Sequence, residues 1–195
     1  MARLILHPTT TAQWQALVNE AENAAHCTLN EDLQSYLVFL LMRFTNRPEL
    51  LSQIIAEDYL LACNTSGQNK QIQLREVGDH CLLFSGLFPN QAQRRLVKAS
   101  YFVDMGRSAY QILAESIDTT IAKLYALLSQ NFVMLMDILQ AMRHLNPDHE
   151  PLSPLQAFDL WHDTNSQHAH KILSDTTSAT PMKDTDTRKS IKIIH

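Results

Sequence analysis

Glycine is scarce in this chain, with only 4 among 195 residues, where a usage of roughly 7% would give about 14. Sandwiches, barrels and Rossmann-type sheets need glycine in their turns and phosphate-binding loops. Charged residues are also few, at 18% of the chain against roughly 25% in a typical domain. Together, the two shortages disfavour sheet folds and indicate a helical protein that buries much of its surface.

An overall excess of basic charge is absent as well. The net charge is -4 and the sequence pI is about 6.1. The end of the chain, residues 175–195, is slightly basic, so residues 1–174 form the more acidic part. Proteins that bind nucleic acid usually concentrate basic residues on one face, so we do not expect a nucleic-acid partner.

Cysteine and long apolar runs are limited too. The three cysteines, Cys27, Cys63 and Cys81, are odd in number and form no CxxC pair, which suits free thiols in a reducing compartment. The longest apolar run covers residues 36–42, whereas a membrane span needs about 20 such residues. We therefore expect a cytoplasmic protein without a membrane span.

What the sequence does contain is apolar periodicity, which predicts about seven helices and no strand. The predicted helices cover about residues 11–25, 31–45, 48–63, 71–87, 98–116, 118–145 and a last one from Ser153. Thr10, Asn30 and Ser153 are suited to cap the first, the second and the last of them. We predict an all-α fold, a single bundle over residues 1–174, followed by a polar tail over residues 175–195 that we expect to be disordered.

Three of the four glycines, Gly78, Gly86 and Gly106, fall inside the fourth and fifth predicted helices. A glycine inside a helix costs about 1 kcal/mol relative to alanine, so each needs a reason. Close packing of two helices is the simplest one, and a glycine-lined slot for a ligand is the alternative.

Polar side chains crowd into the same two helices, several of them at helical spacings of three or four residues. They are Arg75, Asp79, Tyr101, Asp104, Arg107 and Tyr110. In one interpretation they form a buried hydrogen-bonded network, which would fix the register of the helices. In the others they line a ligand pocket, or they form ion pairs on the surface.

The sixth predicted helix carries an apolar seam at steps of three and four residues. Its central members are Tyr125, Leu128, Phe132, Leu135 and Leu139. A seam of this kind packs lengthwise along another helix. We predict it as a self-association interface, as in a dimer.

No enzyme signature accompanies these features. The chain has no P-loop, GxGxxG, GxSxG or HExxH motif, and its 9 histidines form no Glu-x-x-His pair. Neighbouring His80 and Cys81 diverge on a helix, so they do not form a catalytic dyad. We therefore predict no catalytic residue, no metal ligand and no cofactor.

Two sequence blocks, LREVGDHCLLFSGLFP at residues 74–89 and SYFVDMGRSAY at residues 100–110, resemble those of an uncharacterised bacterial family of helical proteins. The upstream LQSYLVFLLMRF at residues 33–44 fits the same pattern. The resemblance implies a bacterial, cytoplasmic, helical protein. Since the family has no established activity, the resemblance transfers no catalytic residue.

Three functions follow as hypotheses. The first is protein–protein interaction without catalysis, in an adaptor, chaperone-like or regulatory role, with a protein partner or a second copy of the chain. The alternative is an enzyme or small-ligand binder whose pocket lies between the helices at residues 71–87 and 98–116. The third, a helix-turn-helix transcriptional regulator, is disfavoured because no helix carries the basic and amide residues of a recognition helix.

Overall fold

The computed structural model describes residues 9–45, 55–89, 98–117, 120–146, 149 and 151–176. In these ranges the regular secondary structure is entirely helical, which confirms the predicted all-α fold. The helices are α1 (Thr10–Ala25), α2 (Glu31–Thr45), α3 (Ile55–Asn64), α4 (Gly67–Leu87), α5 (Ala99–Ser116), α6 (Thr120–Gln130), α7 (Phe132–His144), α8 (Pro154–Thr164) and α9 (Gln167–Thr176). The start of the third predicted helix and most of the predicted tail lie outside the described residues.

The described part of the chain contains nine helices rather than about seven, because two predicted helices are broken. The sixth predicted helix is divided at Asn131 into α6 and α7, which are bent by 66°. The Asn131 side chain donates to the carbonyl of Leu127 at 2.9 Å, and this carbonyl also accepts from the backbone N–H of Asn131. Apolar residues continue on both sides of the break, so periodicity alone could not reveal it.

The last predicted helix is also divided, into α8 and α9. Asn165 ends α8 in the left-handed conformation with φ of 62°, which asparagine tolerates better than most residues. A loop predicted over residues 64–70 is shorter than expected, since only Thr65 and Ser66 separate α3 from α4.

The caps predicted at Asn30 and Ser153 are confirmed, whereas α1 is capped by Thr9 instead of the predicted Thr10. Asn30 Oδ1 accepts from the backbone N–H of Leu33 at 2.9 Å. Ser153 and Gln156 form a complete capping box at the start of α8. Both caps are local features, because nearby side chains accept hydrogen bonds from the first backbone N–H groups of a helix, which have no acceptor within the helix itself.

The core is organised around α4, which packs most extensively on α5 and also contacts α3 and α7. Helix α1 packs against α7 and α2, and the pair of α8 and α9 covers parts of α5 and α7. The apolar run of α2 suggests a central helix, yet Phe39 on α2 is 62% exposed. The central position belongs to α4, where small residues allow neighbouring helices to approach closely.

No single helix within the described ranges is long and apolar enough to cross a membrane. The joined pair α6 and α7 meets the length and composition of a span, but it is sharply bent.

Candidate functional site

A buried carboxylate lies in the middle of α4. Asp79 is 1% exposed, and its Oδ1 accepts hydrogen bonds from the hydroxyls of Tyr36 at 2.6 Å and Tyr110 at 2.7 Å. Its Oδ2 accepts from the guanidinium of Arg43, which completes an ion pair. We refer to Tyr36, Arg43, Asp79 and Tyr110 as the Asp79 cluster.

Local sequence explains how these groups meet. Tyr36 and Arg43 are seven residues apart on α2, so they lie on the same side of that helix two turns apart. The Tyr110 ring of α5 lies against Gly78, at a position that a Cβ on residue 78 would overlap. Gly78 therefore lets the tyrosine cross α4 and reach the adjacent Asp79.

Burial and the neighbouring Asp79 charge raise the pKa of Tyr36 and of Tyr110 well above the usual value. Both hydroxyls thus stay protonated and act as donors to the carboxylate. Burial lowers the pKa of Arg43, but the attraction of Asp79 outweighs this and the net shift is upward. With three donors satisfied on one carboxylate, the arrangement fixes the register of α2, α4 and α5.

Tyr125 and Arg75 extend the cluster. The Tyr125 ring lies 6.2 Å from Tyr110 and 6.5 Å from Tyr36, within the range of favourable aromatic pairs. Burial raises the pKa of Tyr125, and interaction with Arg75 opposes that rise.

The structure brings together half of the polar residues that the sequence singled out. Asp79 and Tyr110 belong to the Asp79 cluster, and Arg75 lies at its edge beside Tyr125. The other three, Tyr101, Asp104 and Arg107, are exposed on α5. Sequence reasoning missed Tyr36 and Arg43, whose one signal is the spacing of seven residues on an otherwise apolar helix.

Side chains fill the space at the described contact of α4 with α5. A Cβ on Gly106 would lie 2.5 Å from the Phe132 ring and 2.7 Å from Cys81 Cβ, and a Cβ on Gly86 would lie 2.5 Å from Leu139 Cβ. The three helical glycines therefore occupy positions of close approach between helices, with neighbouring side chains lying where their Cβ atoms would be.

The apolar seam predicted as an interface lies inside its own chain. All five side chains are at most 8% exposed: Tyr125, Leu128, Phe132, Leu135 and Leu139. The bend between α6 and α7 turns the seam into the bundle, where it packs on other helices of the same protein. A surface for another chain has to be sought elsewhere.

A second buried carboxylate, Asp137 on α7, caps the start of α9. It accepts from the Ser166 hydroxyl at 2.5 Å and from the backbone N–H of Gln167 at 2.9 Å. Burial raises the pKa of Asp137 to about 6, although these hydrogen bonds act in the opposite direction. Beside it, His168 Nε2 lies 3.1 Å from His144 Nδ1, and burial, helped by His144, lowers the pKa of His168 to about 4.

A broad groove of about 640 Å³ lies on the outer surface between α3, α5 and α6. It is lined by Tyr59, Asp104, Arg107, Ser108, Gln111, Ile112 and Ser129. On α3, the residues that follow Tyr59 are Leu60 and Leu61, which are 62% and 61% exposed. We refer to Tyr59, Leu60 and Leu61 as the α3 surface.

Within the described part of the chain, no group of three or more histidine, cysteine, aspartate or glutamate side chains could hold a metal ion. In comparisons with known proteins, the chain matches no family model, no curated protein and no solved structure. The resemblance of its sequence blocks to a bacterial family therefore stays a prediction, and the function has to be argued from geometry.

Proposed function

We propose that the protein acts by binding another protein through the α3 surface, as an adaptor or chaperone-like factor in the bacterial cytoplasm. The observation that carries the proposal is the pair Leu60 and Leu61, two consecutive leucines that are both more than 60% exposed. Ile72, near the start of α4, is a further apolar side chain that is 48% exposed. Apolar side chains grouped on a surface are typical of interaction sites.

The shape beside these leucines suits an elongated partner segment. Tyr59, which precedes the exposed leucines on α3, forms one wall of the groove between α3, α5 and α6. Asp104 and Arg107 also line the groove and supply charges that can orient a bound segment. A helix or extended peptide can place apolar side chains on the leucines and polar ones in the groove.

Charge indicates the chemistry of this partner. Acidic residues predominate among the described charged residues near the leucines: Glu57 and Asp58 on α3 and Glu76 on α4, against Arg107 in the groove. Leu61, Asp58 and Glu76 line one common cavity, so the apolar and acidic groups are neighbours. We therefore assign the site to a segment of a different protein in which apolar side chains are flanked by lysine or arginine.

A photo-crosslinking amino acid in place of Leu60 tests the proposal in cells. We expect it to crosslink to a different protein, at a segment that mass spectrometry shows to be apolar with basic flanks. A synthetic peptide of that segment should bind the purified protein, and the Leu60→Ser, Leu61→Ser double variant should weaken binding by roughly tenfold or more, as the loss of two buried leucine contacts implies.

The matched control is Leu155→Ser, because Leu155 on α8 is 69% exposed and lies outside the α3 surface. This control should leave peptide binding unchanged. Equal loss in the control, crosslinking only to a second copy of the chain, or a crosslinked segment with acidic flanks would each overturn the proposal.

A further inference from the structure

A small cavity of about 140 Å³ lies between α3 and α4, on the side of α4 that carries His80. Its described lining is Asp58, Leu61, Gln73, Glu76, Val77 and His80. Five of these six residues are not part of the α3 surface. We refer to this space as the α3–α4 cavity.

Two polar side chains on its wall have ring or side-chain atoms that make no hydrogen bond with the described residues. His80 is 6% exposed, and its ring makes no hydrogen bond within the described part of the chain. The Oε1 atom of Gln73 is buried and likewise accepts no hydrogen bond. Buried polar atoms in native proteins are nearly always paired, so the unpaired Oε1 atom of Gln73, next to the imidazole of His80 on the same wall, points to a ligand with hydrogen-bond donors.

The cavity favours positive charge. Asp58 and Glu76 contribute carboxylates, and no basic residue is among the described lining. Burial lowers the pKa of His80 despite the nearby carboxylates, so the imidazole is neutral near pH 7 and leaves their charge uncompensated. The wall is therefore rich in acceptors and negative.

A bare metal ion does not fit this wall, because the histidine and the carboxylates are not grouped as metal ligands within the described ranges. A ligand that is bound by several separate acceptors needs several N–H donors spread over its surface. The volume of the cavity also suits a small ligand of this kind, since about 140 Å³ corresponds to four or five water molecules at about 30 Å³ each. Ammonium and guanidinium groups combine positive charge, several donors and this size.

We propose that the α3–α4 cavity binds a small organic cation, a primary ammonium or guanidinium group, through Asp58, Glu76, Gln73 and His80. Such a group occurs in a free small molecule and also at the end of a lysine or arginine side chain. The cavity adjoins the α3 surface and shares Leu61 with it, but the inference goes beyond the proposed protein–protein interaction because it holds for a free ligand.

Titration of the purified full chain tests the site, with methylguanidinium and ethylammonium as free cations and N-acetyl-arginine amide and N-acetyl-lysine amide as side-chain forms. Calorimetry measures affinity, and the ring resonances of His80 in NMR spectra locate the ligand. We expect at least one cation to bind in a saturable way and to shift the His80 signals. If the free cations bind more tightly, the ligand is a small molecule. If the N-acetyl amino acid amides bind more tightly, the ligand is a lysine or arginine side chain.

N-methylurea and acetamide, which are similar in shape but neutral, should not bind at the same concentrations. Glu76→Gln should weaken cation binding by roughly tenfold, the loss expected for one charged hydrogen bond. Glu57→Gln removes the same charge from an exposed residue of α3 that does not line the cavity, and it should have little effect.

Three results would contradict the proposed site. They are equal binding of the neutral compounds, equal loss of affinity in Glu57→Gln and Glu76→Gln, and cation binding that leaves the NMR signals of the His80 ring unchanged. None of them bears on the crosslinking at Leu60, so the two proposals can fail separately.

Discussion

At the scale of single residues, Asp79 is the group whose loss should cost the fold most. Asp79→Asn keeps the size of the side chain but leaves the Arg43 guanidinium without its counter-charge and gives Tyr36 and Tyr110 a poorer acceptor. Removing one partner of a buried ion pair costs about 3–5 kcal/mol. Because Arg43 is partly exposed, we expect a loss of about 3 kcal/mol in the free energy of unfolding, measured with urea.

Asp104→Asn provides the matched control, since Asp104 is exposed on α5 and surface changes usually stay within about 0.5 kcal/mol. If both variants unfold at the same urea concentration as the wild type, the Asp79 cluster does not stabilise the bundle.

The sequence could identify Asp79 but not its partners. The spacing of Arg75 and Asp79 draws attention to this helix, and a local ion pair is the simplest expectation from it. In the structure Asp79 pairs instead with Arg43, 36 residues away, and with two tyrosines that are 43 and 31 residues away. Local spacing carries no information on such distant pairs.

The histidine beside Asp137 makes stability depend on pH. The pKa of His168 falls from the usual 6.5 to about 4 in the folded protein, so between these values the unfolded chain binds more protons than the folded one. The contribution of His168 to the free energy of unfolding should therefore rise with pH from about 4 to 6.5. Asp137, whose pKa is raised from 3.8 to about 6, acts in the opposite direction over much of the same range.

His168→Gln should reduce the rise of unfolding free energy with pH, measured by urea unfolding at intervals between pH 4 and 7. His162→Gln changes an exposed histidine and serves as the comparison, with a smaller effect expected than for His168→Gln. A His168→Gln profile parallel to that of the wild type would contradict the assignment.

At the scale of helices, the close approach of α5 to its neighbours predicts the effect of a single added methyl group. Gly106→Ala should gain about 1 kcal/mol of helix propensity, but the new Cβ would lie 2.5 Å from the Phe132 ring. Since overpacking a core costs about 1–3 kcal/mol and Cys81 also blocks the position, we expect a net destabilisation of up to about 2 kcal/mol, visible as a lower Tm.

Gln111→Ala changes an exposed residue of the same helix and serves as the comparison. It should shift the Tm only slightly. A Gly106→Ala variant that is more stable than the wild type would mean that α5 can move away from Phe132 without cost.

The starts of helices could be predicted because their causes are local. The two helix breaks, between α6 and α7 and between α8 and α9, were not predicted. The serine, proline and glutamine at the start of α8 lie within four residues of one another, and they form the predicted cap. At Asn131 apolar residues continue on both sides, so the pattern is the same for a straight helix and a bent one. Asn165 lies in the polar run of residues 162–168, which is compatible with a turn and also with the exposed face of a continuous helix. Which arrangement forms is decided by packing in the bundle.

At the scale of the whole molecule, composition predicted the all-α fold but not which surface is free. An apolar seam has the same sequence pattern whether it packs on its own chain or on another. In this protein the seam of α6 and α7 is buried internally, while Leu60 and Leu61, two adjacent residues outside any long seam, are exposed. The α3 surface and the α3–α4 cavity emerge only from the arrangement of the chain in space.

The Asp79 cluster also has a consequence for the order of events during folding. Its hydrogen bonds join helices whose residues are 31 to 43 positions apart in the chain. Closing loops of that length costs conformational entropy before the stabilising contacts form. Individual helical turns form much faster than such closures. The carboxylate therefore acquires its three donors late, when α2, α4 and α5 are already paired, so that the correct pairing of these helices is what allows its burial.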